Sequence, residues 1–143
     1  MPTIREMIDK SVEEGKFGDA ILIAWTQVES LINLLLLEEF GLDLLANDSW
    51  VDFLVGELGF EQKYKLLKDR NVFSEKEKEI ITEFQHKRNN LFHADLGGGF
   101  FRKFYDDKEK RRLLDLSAAA SDAALESYTR YVNKKYPSGL PYQ

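Results

Sequence analysis

Between residues 19 and 40 the apolar side chains Ile21, Trp25, Val28, Ile32, Leu35 and Leu36 recur in steps of three and four. That spacing predicts an amphipathic helix of about six turns, Asp19 to Phe40, stopped by Gly41. Its second half, Leu31 to Leu37, is apolar on more than one side, so burial on two faces is expected. A subunit interface is one way to cover the second face. Glu29, mid-helix, reads as an exposed residue in preference to a catalytic one.

The same periodicity, with its stop signals, organises the rest of the chain. Thr3 and Glu6 have the spacing of a capping box, which predicts a first helix running to about Glu14, with Gly15 as its stop. Residues 42–48 read as a loop, and Asp48 or Ser49 can cap a short helix over 50–58. Gly59 separates this from a helix over 61–69, with Phe60, Tyr64 and Leu67 on one side and Lys63, Lys65 and Lys68 on the others. Asn71-Val72-Phe73 turns the chain. Ser74 with Glu77 then makes a second capping box, opening a helix from Glu75 to about Ala94. The last long helix is expected from Asp107 to Lys135, with Leu113, Leu116, Ala120, Ala124 and Tyr131 inward. Its small residues Ala118 to Ala120, Ala123 and Ala124 permit close helix approach. Pro137, Gly139 and Pro141 mark a frayed tail over 136–143. No stretch alternates with period two. The expected fold is therefore all-α, a bundle of three long and two or three short helices in a single domain with its core in about 19–135.

Composition narrows the setting. The chain has 143 residues, 43% hydrophobic and 31% charged, which fits one globular domain and excludes disorder. There is no cysteine, so disulfide staples and cysteine zinc sites are excluded. The longest apolar run, Leu31 to Leu37, falls short of the ~20 residues of a spanning helix, and no signal-peptide core precedes it. The expectation is a cytoplasmic protein with no membrane contact. A net charge of −5 argues against a general nucleic-acid coat but leaves room for a local basic cleft. Arg102, Lys103, Lys108, Lys110, Arg111 and Arg112 form one cationic cluster, readable as such a cleft or as a solvated face.

Candidate chemistry concentrates in residues 83–93, Glu-Phe-Gln-His-Lys-Arg-Asn-Asn-Leu-Phe-His, just before Gly97 to Gly99. At about 100° per residue, Ile80, Phe84 and Leu91 share a stripe that reads as the core face, and Arg88 lies only about 40° from Phe84. A guanidinium there requires an anionic partner if buried: a carboxylate of another helix, or a ligand. His86 and His93 share a face but stand about 10 Å apart along the axis, too far to ligate one zinc, so no metal or cofactor is expected. Asn89 precedes His93 by four and can hold its ring in one tautomer. Arg88 and His93 are about 140° apart, so a shared cleft is easier if a second copy of the helix packs alongside. Further on, Phe100, Phe101, Phe104 and Tyr105 interleave with Arg102 and Lys103, either as a stacking platform for unpaired bases or as loop packing.

Arg88-Asn89-Asn90-Leu91-Phe92-His93 resembles the Arg-x4-6-His signature of HEPN domains, with the favoured polar residue directly after the arginine. The upstream Phe60…Lys63…Leu66-Leu67 and Val72-Phe73-Ser74 are similar to that family as well, and the likeness spans roughly 19–135. The resemblance implies an HEPN-like bundle that forms a homodimer, with both motifs facing one cleft. Many members are metal-independent endoribonucleases serving as toxins, antiviral effectors or RNA-processing factors; others only bind nucleotides or partner proteins. Carried over, Arg88 would hold the scissile phosphate, His93 would move protons for attack by the ribose 2′-hydroxyl, and Asn89 would orient one of them. Lys87, Arg102 and Lys103 are the accompanying candidates for RNA binding. His86 has no role in the pattern. A cognate antitoxin or nucleotidyltransferase is the partner class implied. HEPN toxins silenced by nucleotidylation carry a tyrosine two residues after the histidine. This chain has Asp95 there, which points to a different mode of control.

Overall fold

The computed structural model describes residues 2–42, 49–94 and 107–139, without the side chains of 17, 88–94, 107, 109 and 110. Helices account for most of these residues, and no strand occurs among them: the fold is an all-α bundle. In chain order the helices are α1 (Ile4–Glu13), α2 (Phe17–Glu39), α3 (Ser49–Val51), α4 (Phe60–Lys68), α5 (Glu75–Ala94) and α6 (Asp107–Lys135). A π-helical turn, Asp52–Glu57, continues α3.

Local signals set the helix ends. The Thr3 hydroxyl accepts from the Glu6 amide at 3.1 Å, and the Thr3 amide donates to the Glu6 carboxylate at 3.4 Å. At Ser74 and Glu77 the same box closes at 3.2 and 2.8 Å. Gly15 and Gly41 adopt φ of +74° and +66° just past α1 and α2, a left-handed turn that glycine enters without steric cost. Asn71 does the same after α4 with φ +58°, as asparagine tolerates.

Helix α2 is the axis of the bundle. Its packing against α6 is the most extensive, and α1 and α4 cover other sides. Leu31, Ile32, Leu35, Leu36 and Leu37 are all buried, as an apolar second half requires. By length and composition the Gly18–Glu39 stretch would suffice to cross a membrane. Counting uninterrupted apolar runs hides this, because Asn33 and Thr26 break the run without breaking the helix. In the fold most apolar positions of that stretch face α1, α4 and α6 and form the core, while Leu22 is exposed.

Two expectations are corrected. The inward stripe of α5 contains Ile81 and Phe84, fully buried, whereas Ile80 is only half-buried at its edge. Rotating the stripe by one residue lets Glu77 and Gln85 share it. Lys63, expected on an outer side of α4, is buried and donates through Nζ to Val55 O at 2.8 Å. The π-helical turn leaves that carbonyl available, and the ammonium satisfies it.

At one end of the bundle α2 and α6, running parallel, are tied by polar contacts. Tyr131 donates to Glu39 at 2.6 Å, Tyr136 to Glu38 at 2.8 Å, and Lys135 Nζ to Glu38 O at 2.6 Å. Burial, then the Glu39 carboxylate at its hydroxyl, push the Tyr131 phenol well above its ordinary value. Arg70 still holds Glu39, at 3.3 Å, when the phenol is removed. Tyr131→Phe is therefore expected to cost only about 1 kcal/mol, a drop of roughly 2–4 °C in Tm. Calorimetry checks this; an unchanged Tm would show that the contact contributes nothing.

Candidate functional site

The motif residues lie in the last turns of α5, which remains helical through Ala94. Helix α5 runs antiparallel to α6. Glu77, in its first turn, bonds Arg130 near the end of α6 at 2.6 and 2.8 Å. Arg88 follows eleven residues later, roughly 16 Å along the axis. The motif is thus carried away from the tyrosine–carboxylate end of the bundle, toward the opposite end.

What anchors this helix is aromatic. Phe84 meets Trp25 of α2 edge-on at 6.1 Å and Phe60 of α4 edge-on at 6.1 Å. Phe60 stacks on Tyr64 at 6.4 Å, and the Tyr64 hydroxyl contacts Thr82 at 2.9 Å and donates to Lys78 O at 3.0 Å. The turn of α5 immediately before Arg88 is therefore held from two sides by buried rings.

Helical register then sorts the candidates. Arg88 lies within about 40° of Glu77, Ile81 and Phe84, so its position continues the buried stripe. Asn89 and His93 fall about 100° and 140° further round. Their positions continue a different face, that of Lys78, Thr82, Glu79 and His86, which lines an open groove between α5 and Lys68 of α4. Because α5 stays helical to Ala94, no unwinding within α5 closes the angle between Arg88 and His93. The structure brings Asn89 and His93 to one face and puts Arg88 on another.

His86 is exposed in the groove, beside Glu83 and Thr82. Lys87 is exposed at the same groove, adjacent in sequence to Arg88. The side chains of Arg88, Asn89 and His93 lie outside the described set, and Arg102 and Lys103 lie outside the described residues altogether. The groove was not foreseen from the sequence. Its only signal is the polar face of α5 at i, i+3 and i+4, which any solvated helix shows.

No protein-family model, no curated protein and no solved structure matches the chain.

Proposed function

We propose that the protein is a metal-independent endoribonuclease of HEPN type, acting in the cytoplasm as a homodimer whose two α5 helices share one cleft. The observation that carries this is the register of α5. Arg88 and His93 stand on faces about 140° apart on a helix that persists to Ala94. A second copy packed alongside can supply the histidine that one chain cannot aim at its own arginine. In this reading Arg88 binds the scissile phosphate and the negative charge that grows on it. His93 takes the proton from the 2′-hydroxyl, whose oxygen attacks phosphorus. The P–O5′ bond breaks, and the leaving oxygen regains a proton, leaving a 2′,3′-cyclic phosphate. Asn89, one turn before His93, sets the ring's tautomer. Lys87 lies at the groove leading to this end of α5 and contributes phosphate contact. A cognate antitoxin or nucleotidyltransferase would restrain such an enzyme.

Purified protein with RNA in excess chelator tests the reading. Cyclic-phosphate ends and a dimer in sedimentation velocity are expected; no cleavage under any condition would reject it. The same register favours one rival reading, a non-catalytic bundle in which Arg88 pairs with a carboxylate of a neighbouring helix. That predicts no cleavage and a loss of several kcal/mol of stability in Arg88→Ala, as breaking a buried pair brings.

A further inference from the structure

The charge of the chain is unevenly distributed. From residue 17 to residue 62 there are nine Asp and Glu and no Lys or Arg, leaving 20 Lys and Arg against 16 Asp and Glu elsewhere. Within this acidic stretch α3 and its π-helical turn present Trp50, 62% exposed, and Phe53, 40% exposed. Both figures are high for rings this size, which normally bury most of their area. The rings meet each other edge-on at 6.1 Å.

The segment that bears them is firmly seated. Val51 and Leu54 are buried beneath it. The Leu58 amide closes the turn on Phe53 O at 3.1 Å, and Lys63 holds Val55 O from below. Val51 and Leu54 take the inward face, which leaves the adjacent face, Trp50 and Phe53, pointing out. In the same segment Asp52 and Glu57, and at the start of α4 Glu61, are exposed, and these three form no ion pair among the described residues.

We infer that the Trp50–Phe53 surface is a docking site for a partner protein, one that packs an apolar side chain against the exposed rings and flanks it with Lys or Arg. Charge complementarity selects that occupant. Unpaired carboxylates beside an aromatic anchor attract cations and favour cation–π contact. They repel the phosphates of RNA, so base stacking on Trp50 is disfavoured. A rigid aromatic pair is also the kind of feature that concentrates binding energy at interfaces. The inference stands whether or not the chain cleaves RNA.

The probe is a synthetic amphipathic Leu/Lys peptide, with oligolysine and an RNA oligonucleotide as controls. Trp50 is the reporter, and the buried Trp25 serves as internal reference. The Leu/Lys peptide is expected to move the tryptophan emission to shorter wavelength and to shield it from acrylamide, while oligolysine does neither. Trp50→Ala with Phe53→Ala removes the reporter, so its binding is read from the anisotropy of a labelled peptide, and it should be at least about tenfold weaker. Asp52→Asn with Glu57→Gln and Glu61→Gln should weaken binding and remove most of its salt dependence. Should the double alanine variant fold poorly by circular dichroism, the single Trp50→Gln change on the exposed ring replaces it. Equal binding by the variants would overturn the inference, as would equal shielding by RNA. Shielding that rises with protein concentration alone, and disappears with Phe53→Ala, which keeps the reporter, would assign the surface to a second copy of the chain instead.

Discussion

Arg88→Ala is expected to lower metal-free RNA cleavage by roughly 10²–10³-fold, the usual consequence of deleting one preorganised donor to a developing negative charge. His93→Ala should cost about 10²–10⁴-fold, as loss of a general acid–base does. Neither variant tests the dimeric cleft by itself, because both arrangements predict inactive proteins. Mixing them does. If each site takes Arg88 from one chain and His93 from the other, an Arg88→Ala/His93→Ala heterodimer retains one intact site, and partial activity returns. If each chain supplies its own pair, the mixture stays inactive. The geometry of α5 predicts recovery, since one helix holds the two positions about 140° apart. Urea melts of both variants belong beside the assay. Arg88→Ala that loses several kcal/mol, from a protein that never cleaved RNA, would favour the rival structural bundle.

The second large effect concerns Glu77 and Arg130. The Glu77 side chain is 6% exposed and accepts from Arg130 at 2.6 and 2.8 Å and from the Ser74 amide at 2.8 Å. Burial by itself raises its carboxyl. The Arg130 hydrogen bonds, the Ser74 amide, the Ser127 hydroxyl and the guanidinium charge together outweigh it, lowering the value from about 4.5 to about 2. A folded-state value below the unfolded one stabilises the fold above the unfolded value, and that stabilisation is lost as pH falls through the folded one. The window is therefore about pH 4.5 down to 2, and the shift corresponds to roughly 3 kcal/mol at neutral pH. Arg130→Met leaves the carboxylate buried with its amide donor but without its cation. A loss of about 2–4 kcal/mol is expected at pH 7. Near pH 2, where Glu77 is about half protonated in the folded wild type and more fully so in the variant, most of the difference should be gone. Urea unfolding at the two pH values measures this. A difference that does not change with pH would show that the pair carries no linkage.

The helices themselves were legible in the sequence because their signals act over a few residues. Thr3 with Glu6 and Ser74 with Glu77 close as capping boxes, and Gly15, Gly41 and Asn71 take the left-handed turns that end helices. The all-α architecture follows from these ends and from the 3.6-residue spacing between them. The orientation of each helix was less legible. Ile80 and Ile81 are adjacent isoleucines, and which one faces inward depends on where Trp25 and Phe60 meet Phe84. Lys63 reads as an outer lysine until Val55 O, eight residues earlier, is placed beneath its ammonium.

The candidate site divides along the same line. That Arg88, Asn89 and His93 sit late on one helix is a property of residues 75–94 alone, since a capping box starts the helix and no proline or glycine interrupts it before Gly97. That Asn89 and His93 continue the face of an open groove, while Arg88 continues a buried stripe, was decided by the packing of α4, α2 and α6 against α5. Backbone hydrogen bonds are settled within a turn. Burial is settled by partners such as Arg130, 53 residues from Glu77, and no local pattern encodes which partner arrives. The sequence by itself determined the elements and the motif's place on them, and tertiary packing decided which faces those elements present.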